Sequence, residues 1–277
     1  MLETNKIICG DSLEILKKMP NECVNMVITS PPYFIQTLDY HQGGDAKSKD
    51  VVGEWNIYIS WLCSIFDECV RILKPAGKLV INIDDRHTSL KNLGKNIVLP
   101  SHAHLIMHLR NALDYKEIVL WKKIRGSHAS GGSNRLLGSY GRFHSPGEIP
   151  LVQEVEYILW FRKSGTRKDV TDDLRKQSAL TPEEFKSYGM QIWAVPPAMG
   201  KNKFGHPAPF PLEIPHRCIK LASFIGDIIL DPFCGSGTTC VAAKNAGRQY
   251  IGIDLEQKYC DIAESRLLET NLSHQTN

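Results

Sequence analysis

No apolar stretch in this sequence approaches the roughly 20 residues that a helix needs to cross a bilayer. The opening residues, Met1-Leu2-Glu3-Thr4-Asn5-Lys6, have no signal-peptide character. These absences argue against a membrane protein and set the expectation of a cytoplasmic one. The eight cysteines contain no C-x-x-C pair and no Cys/His group at zinc-ligand spacing. A disulfide framework and a structural zinc site are therefore unsupported, and Cys9, Cys23, Cys63, Cys69, Cys234 and Cys240, which lie mostly in apolar runs, read as reduced core thiols. His102, His104 and His108 recur at helical spacing, but the Glu of an H-E-x-x-H site is missing, so no metal is expected. Internal repeats are also absent.

What is present is an ordinary globular composition, with 277 residues, 42% hydrophobic, 23% charged and a net charge of +3. That suits one large domain, or one domain with a smaller insert. The charge is unevenly spread. Arg110 to Lys176 holds 13 Lys/Arg against 8 Asp/Glu, whereas Asp227 to the end holds 4 against 7. A polyanion would be met by the middle of the chain, a solvated mixed-charge surface being the competing account.

The stretch most dense in chemical signal is Asp227-Ile228-Ile229-Leu230-Asp231-Pro232-Phe233-Cys234-Gly235-Ser236-Gly237-Thr238-Thr239, followed by Cys240-Val241-Ala242-Ala243-Lys244. It reads as a strand, a tight loop of small residues and a helix N-terminus. Gly235 and Gly237 let the backbone approach a ligand, and the first helical turn favours an electron-rich or carboxylate group. A second apolar run, Gln249 to Ile253, ends in Asp254, where a nucleotide-binding unit places the acid that bonds a ribose hydroxyl. A P-loop would need Lys before the Ser/Thr, but Gly237 is followed by Thr238; a dinucleotide site would need a third glycine. An S-adenosylmethionine site, its loop holding the amino acid part and Asp254 the ribose, is the third reading, and a turn without a ligand is the bland one.

Near the other end, the apolar run Val24 to Ile28 leads into Thr29-Ser30-Pro31-Pro32-Tyr33. Two prolines hold the turn rigid and leave its carbonyls free to accept hydrogen bonds. Alone, this is as much a strand stop as a site. Paired with the late Asp231 to Thr239 motif, it resembles the β class of DNA amino-methyltransferases, in which the catalytic motif precedes the cofactor motif. Gly10-Asp11-Ser12, Ile72 to Val80 and His206-Pro207-Ala208-Pro209-Phe210-Pro211 extend the resemblance over nearly the whole chain. Cytosine-C5 methyltransferases carry their nucleophile in a Pro-Cys pair, which this chain lacks. Protein-glutamine methyltransferases use a similar proline turn with Asn in place of Ser, but place the cofactor motif first.

The resemblance implies an α/β, Rossmann-like methyltransferase fold, a mostly parallel twisted sheet with helices on both faces, circularly permuted motif order and an inserted target-recognition region. The expected organisation is a catalytic part over 1–124, a DNA target-recognition and loop region over 125–190 with a core strand near 155–161, a cofactor-binding part of the same domain over 191–270, and a frayed tail over 271–277. S-adenosylmethionine is the implied cofactor, held by Asp231, Pro232, Phe233, Gly235, Ser236, Gly237, Thr238 and Asp254, with Asp11 near the adenine and Pro211 in the wall around the methionine part.

Local signals fit that outline. Lys6 to Cys9 reads as a strand and Ser12 as the cap of a helix from Leu13 to Met19. Phe34 to Asp50 reads as a mobile loop, and Trp55 to Leu73 as a helix stopped by Pro75-Ala76-Gly77 before a strand over Lys78 to Ile83. Asp84-Asp85 reads as a capped turn, Ser101 to Leu113 as a helix, and Tyr115 to Trp121 and Glu156 to Phe161 as strands. Arg125 to Pro150 is rich in Gly, Ser and His, and Arg125, His128, Asn134, Arg135, Tyr140 and Arg142 supply the basic and amide groups that phosphate and base-edge contact requires. Arg162 to Gly189 is charged and irregular, with a short helix from Thr181-Pro182-Glu183-Glu184.

By resemblance Ser30 and the carbonyl of Pro31 accept hydrogen bonds from the target amine, Pro32 stiffens the turn, and Tyr33 stacks on a base flipped out of double-stranded DNA. Ser at this position goes most often with cytosine N4 and Asp with adenine N6, so cytosine N4 is the expected target and adenine N6 the alternative. A DNA-binding protein that keeps the fold without turnover is the second alternative. The resemblance also leaves room for a homodimer and for a cognate restriction endonuclease acting independently.

Overall fold

The computed structural model describes residues 2–34, 51–87, 97–124, 153–198 and 211–273. Eight of its strands form one sheet: β1 (Lys6–Cys9), β2 (Val24–Thr29), β3 (Leu73–Ile83), β6 (Asp114–Lys123), β7 (Val155–Arg162), β8 (Ile192–Val195), β9 (Ile228–Asp231) and β10 (Gln249–Asp254). The short strands β4 (Arg86–His87) and β5 (Val98–Leu99) pair separately. The helices are α1 (Ser12–Lys18), α2 (Val51–Ile72), α3 (Ser101–Leu109), α4 (Asp172–Gln177), α5 (Pro182–Tyr188), α6 (Glu213–Ala222), α7 (Thr238–Asn245) and α8 (Gln257–Ser273).

The strand order is β1-β10-β9-β2-β3-β7-β6-β8, and only β7 runs antiparallel to its neighbours. This is the expected mostly parallel, Rossmann-like sheet. Every residue of β2 is buried because helices cover both faces. Side chains alternate across a strand, so the core divides in two. Val27, Leu79, Ile81, Leu159 and Phe161 meet Leu16 of α1, Leu62 and Phe66 of α2 and Leu105 and Leu109 of α3. Met26, Ile28, Val80 and Ile158 meet Ile214 and Cys218 of α6 and Val241 and Ala242 of α7 on the other face.

Local chemistry moves several boundaries. Asp11, not Ser12, caps α1, its carboxylate accepting from the Glu14 amide at 3.0 Å, while the Ser12 hydroxyl donates to the Pro232 carbonyl at 2.5 Å. Pro75-Ala76-Gly77 does not separate helix from strand. Helix α2 runs straight into β3, and these residues form a bulge in which Ala76 takes φ 63° and the register with β2 shifts. Helix α3 ends at Leu109, where Ala112 and Leu113 close a turn onto its carbonyl. Helix α4 escaped the sequence reading because none of its residues is buried, so it has no apolar stripe; Thr171 caps it through the Leu174 amide at 3.2 Å. Helix α5 has the expected Thr181 N-cap with Pro182 in its first turn, and the Glu184 side chain, which bonds back to the Thr181 amide, completes a capping box.

All eight cysteines are free, six of them buried, but Cys9 is exposed and Cys23 half-buried, a departure from the expected core setting. Cys9 ends the edge strand β1, and Cys23 stands just before β2, outside its fully buried span. His108 pairs with Asp67 at 2.7 Å, and the His104 ring meets the edge of Trp55 at 5.7 Å, so these histidines serve packing between α2 and α3.

After β7 the chain is fastened to the start of β9 by one guanidinium. Arg167 forms a bidentate bond to Asp227, at 2.7 and 2.9 Å, and also holds Asp169. Asp227 is buried, and Arg167 and Arg175 both lie over the Phe224 ring, at 5.2 and 5.9 Å. Arg167→Ala leaves a buried carboxylate without its cation and is expected to cost about 3 kcal/mol. The shift of the urea midpoint against wild type measures it.

Candidate active site

In an open parallel sheet, ligands bind outside the carboxyl ends of the strands. Here the ends of β1, β2, β3, β9 and β10 bring together Asp11, Ser30, Asp84, Asp231 and Asp254 along one edge. The two motifs that the sequence separates most widely are neighbours, because β2 pairs with β9. Thr29 at the end of β2 donates to Asp231 at the end of β9, at 2.6 Å across 202 residues of chain. The Phe233 amide donates to the same carboxylate oxygen at 3.0 Å. Burial raises the Asp231 carboxyl to about 6, against the pull of these donors.

Beyond Asp231 the loop turns on Gly235 (φ 51°) and Gly237 (φ 78°). A Cβ at Gly237 would stand 2.6 Å from that of Ala263, so position 237 excludes any side chain on steric as well as conformational grounds. Asp254 binds the loop to the end of β10: its carboxylate accepts from the Gly235 amide at 2.9 Å and the Glu256 amide at 3.0 Å. Arg266 of α8 bonds to Ser236 and to the Thr238 hydroxyl at 3.1 Å. The Phe233 ring lies 5.7 Å from that of Trp61. Pro211 is buried and its carbonyl accepts from the Ile214 amide at the start of α6.

The donor set tests which nucleoside ligand this edge suits. Three carboxylates, Asp11, Asp231 and Asp254, end adjacent strands, and Gly10 bonds to the Asp254 carbonyl at 2.9 Å. Such an edge repels phosphates and favours a nucleoside bearing positive charge, as a sulfonium does. S-adenosylmethionine fits; a dinucleotide fits poorly.

The proline turn rests on a buried polar group that sequence reasoning missed. Ser30 Oγ lies 3.3 Å from both Tyr33 Oη and Asn82 Nδ2. Tyr33 donates to Glu156 Oε2 at 2.6 Å, and Asn82 Nδ2 bonds to the same oxygen at 2.6 Å and to Tyr33 Oη at 2.8 Å. Lys123 pairs with the other Glu156 oxygen. Asn82 is 2% exposed and Glu156 5%. Burial and the Glu156 charge push the Tyr33 phenol well above its ordinary range, so it stays protonated. Tyr58 donates to the Pro32 carbonyl at 2.8 Å, fixing the turn from the α2 side. A polar Asn within Val80-Ile81-Asn82-Ile83 and an acid opening Glu156-Tyr157-Ile158-Leu159 were the available signals, since a strand buried on both faces has little reason to carry either.

Asp84 is more than a turn residue. Burial and the nearby Glu156 raise its carboxyl to about 7, and the amide groups of Gln153 and Asp85 donate to it. Asp85 accepts from the His102 ring at 2.8 Å, and that ring stacks on Tyr157 at 4.0 Å. Of the remaining expected site residues, Asp11 is exposed at the end of β1 and Pro31 is buried. Arg125, His128, Asn134, Arg135, Tyr140 and Arg142, and residues 206–210, lie outside the described residues, as does the loop expected over Phe34 to Asp50 apart from Phe34, which is buried in the core beside Tyr58.

This sheet, with its glycine loop and proline turn on one edge, is a Rossmann-like methyltransferase fold. The N6/N4 methyltransferase family model, described as DNA methylase, matches residues 24–265, and the protein belongs to this family, the β-class amino-methyltransferases. Type II methyltransferase M.MjaI of Methanocaldococcus jannaschii is 32% identical over 95% of this chain and 91% of its own. TTHA0409 from Thermus thermophilus, solved in complex with S-adenosyl-L-methionine, is 31% identical, with a TM-score of 0.74 over 94% of this chain and 92% of its own. DNA adenine methyltransferase YhdJ of Escherichia coli is 27% identical over 96% of this chain and 83% of its own. The cytosine-N4-specific PvuII DNA methyltransferase, 20% identical, shares the fold with a TM-score of 0.68 over 96% of this chain and 87% of its own.

The Asp84 environment gives a pH signature. A carboxyl held near 7 in the folded chain and near 4 when unfolded binds more protons in the folded state between those values. Stability from this group therefore falls as pH rises from about 4 to about 7 and is level beyond. Asp84→Asn should reduce the fall of the wild-type unfolding free energy across that window and abolish most of it between about 6 and 7, above the Asp231 titration, as measured by urea titration at stepped pH.

Proposed function

We propose that this DNA amino-methyltransferase transfers a methyl group from S-adenosylmethionine to N4 of a cytosine flipped from double-stranded DNA. The observation that supports the reading is the Thr29 to Asp231 bond, which joins the start of the Ser30 turn to the start of the glycine loop. S-adenosylmethionine supplies an electrophilic methyl group on its sulfonium. Asp254 would hold the ribose, and Asp231 to Thr238 with Pro211 would surround the amino acid part. Asp11 would lie near the adenine.

An exocyclic amine is a poor nucleophile because its lone pair is delocalised into the ring. Ser30 Oγ and the Pro31 carbonyl accept its N–H groups, which favours the pyramidal nitrogen of the transition state over the ground state. The Tyr33 ring stacks on the flipped base and offsets part of the few kcal/mol that flipping costs. Orientation supplies much of the remaining rate.

A neutral Ser30 supports cytosine. It also suits its surroundings, since Tyr33 and Asn82, 3.3 Å away, are both bound to the buried Glu156, and an Asp at position 30 would crowd a second negative charge against the first. Adenine N6 is the second reading, favoured by the likeness to YhdJ. The basic stretch with Arg125, His128, Asn134, Arg135, Tyr140 and Arg142, within the proposed recognition region 125–190, would contact DNA. The type II relatives fit an independently acting restriction endonuclease as companion.

Incubation with unmethylated genomic DNA and labelled S-adenosylmethionine, then nucleoside mass spectrometry, should give N4-methylcytosine. N6-methyladenine would overturn the base assignment, and no methylated base despite cofactor binding would favour a DNA-binding protein without turnover. Asp254→Ala should weaken cofactor binding about 10-fold or more in calorimetry, since a charge-assisted hydrogen bond is lost. An unchanged dissociation constant would remove the ribose contact.

A further inference from the structure

We infer that Glu156 is a positioning residue for methyl transfer: through Tyr33 it turns the Ser30 hydroxyl proton inward, so that the Ser30 lone pairs face the target amine. The inference rests on the amino-methyltransferase reading above. It begins from hydrogen-bond inventory. A carboxylate accepts only, so the short bond of 2.6 Å from Tyr33 to Glu156 commits the single phenolic proton to Glu156. That bond is charge-assisted and shorter than the 3.3 Å contact between Tyr33 and Ser30, so it wins the competition for the proton. Tyr33 Oη can then only accept at Ser30, and Ser30 must donate to it.

Asn82 reinforces the same polarity. Its amide nitrogen, a donor, lies toward Ser30, Tyr33 and Glu156, and reversing the amide would set its oxygen against the carboxylate. Its Oδ1 has no partner among the described residues, which hold the side chain by its donor end. The result is a directed chain from Ser30 Oγ–H to Tyr33 Oη–H to the Glu156 carboxylate, with Lys123 neutralising the far oxygen. If the chain ran the other way, the Ser30 proton would face the amine N–H and two donors would oppose each other.

A glutamine at 156 cannot serve this chain. Three donors surround the carboxylate, namely Lys123 Nζ, Tyr33 Oη and Asn82 Nδ2, and a glutamine has one acceptor oxygen beside an NH2 group. Whichever way it is placed, one donor is opposed by another. With its oxygen kept for the Lys123 cation, its NH2 group faces Tyr33 and Asn82, and the Tyr33 proton is then released toward Ser30.

The test is single-turnover methyl transfer to unmethylated DNA by the full chain with S-adenosylmethionine, with cofactor and DNA affinities measured alongside. Tyr33→Phe, which keeps the stacking ring, and Glu156→Gln should each slow the methyl-transfer step about 10- to 100-fold, with both dissociation constants within about 2-fold of wild type. In a Ser30→Ala background neither substitution should slow it further, because both act through the missing hydroxyl. Losses that multiply in the double variants, or wild-type rates in both single variants, overturn the inference. Should Glu156→Gln fail to fold, Glu156→Asp, which keeps the carboxylate but withdraws it from Tyr33 by one methylene, takes its place in the same comparison with and without Ser30→Ala, and an unslowed rate overturns the inference. Absence of methyl transfer by the wild-type chain would overturn the functional reading and this inference together, whereas an active wild type with multiplicative losses overturns only the inference.

Discussion

The hydrogen bond from Thr29 to Asp231 is the constraint on which the site depends. It joins two strand ends that are adjacent in the sheet and remote in the chain, and it does so beneath the point where both strands break into turns. Sheet adjacency, not chain order, sets what the site can bring together. The proline turn can precede the glycine loop in the chain because β2 and β9 are neighbours whichever is made first. The same bond explains why Asp231 tolerates full burial: the Thr29 hydroxyl and the Phe233 amide both reach its carboxylate, so its affinity for a proton rises only moderately.

The acids at the ends of β1, β9 and β10 have different tasks. Asp231 is internal and holds the turns together, Asp254 ties the glycine loop to its strand while keeping one edge half-exposed, and Asp11 caps α1 from the surface. Their common sign gives the edge its selectivity. Helix N-termini in nucleotide folds ordinarily welcome phosphate, but carboxylates on three adjacent strands oppose it and leave a neutral or cationic nucleoside as the compatible ligand.

Much of this was legible in the sequence because the signals were local. Val24 to Thr29 and Ile228 to Asp231 are apolar runs that end in turn residues, and Thr181 to Glu184 spells a capping box. What failed was either non-local or lacked an apolar pattern. Helix α4 has no buried face, and the bulge at Pro75 to Gly77 is dictated by pairing with β2 and by the Ala76 bond to the Lys163 carbonyl at 3.1 Å. Asn82, Lys123 and Glu156 converge from three strands, β3, β6 and β7, whose adjacency is a property of sheet order. Asn82 and Glu156 stand out in apolar strands, but only their meeting with Lys123 beneath Ser30 gives them chemical meaning.

That meeting has a thermodynamic cost. Taking the Lys123 and Glu156 charges out of water costs several kcal/mol per ion, and well-packed apolar residues at such sites are often as stable or more so. The rest of the sheet interior follows the apolar rule, with Val80, Ile81, Ile158 and Leu159 buried beside this group. A polar group kept against that background, and placed directly beneath the turn that would meet the target amine, is the kind of local departure from stability that marks functional positions. Packing alone would be served better by leucine. Fixing the direction of a hydroxyl requires an acceptor that cannot also donate, and a buried carboxylate is the side chain that meets this requirement.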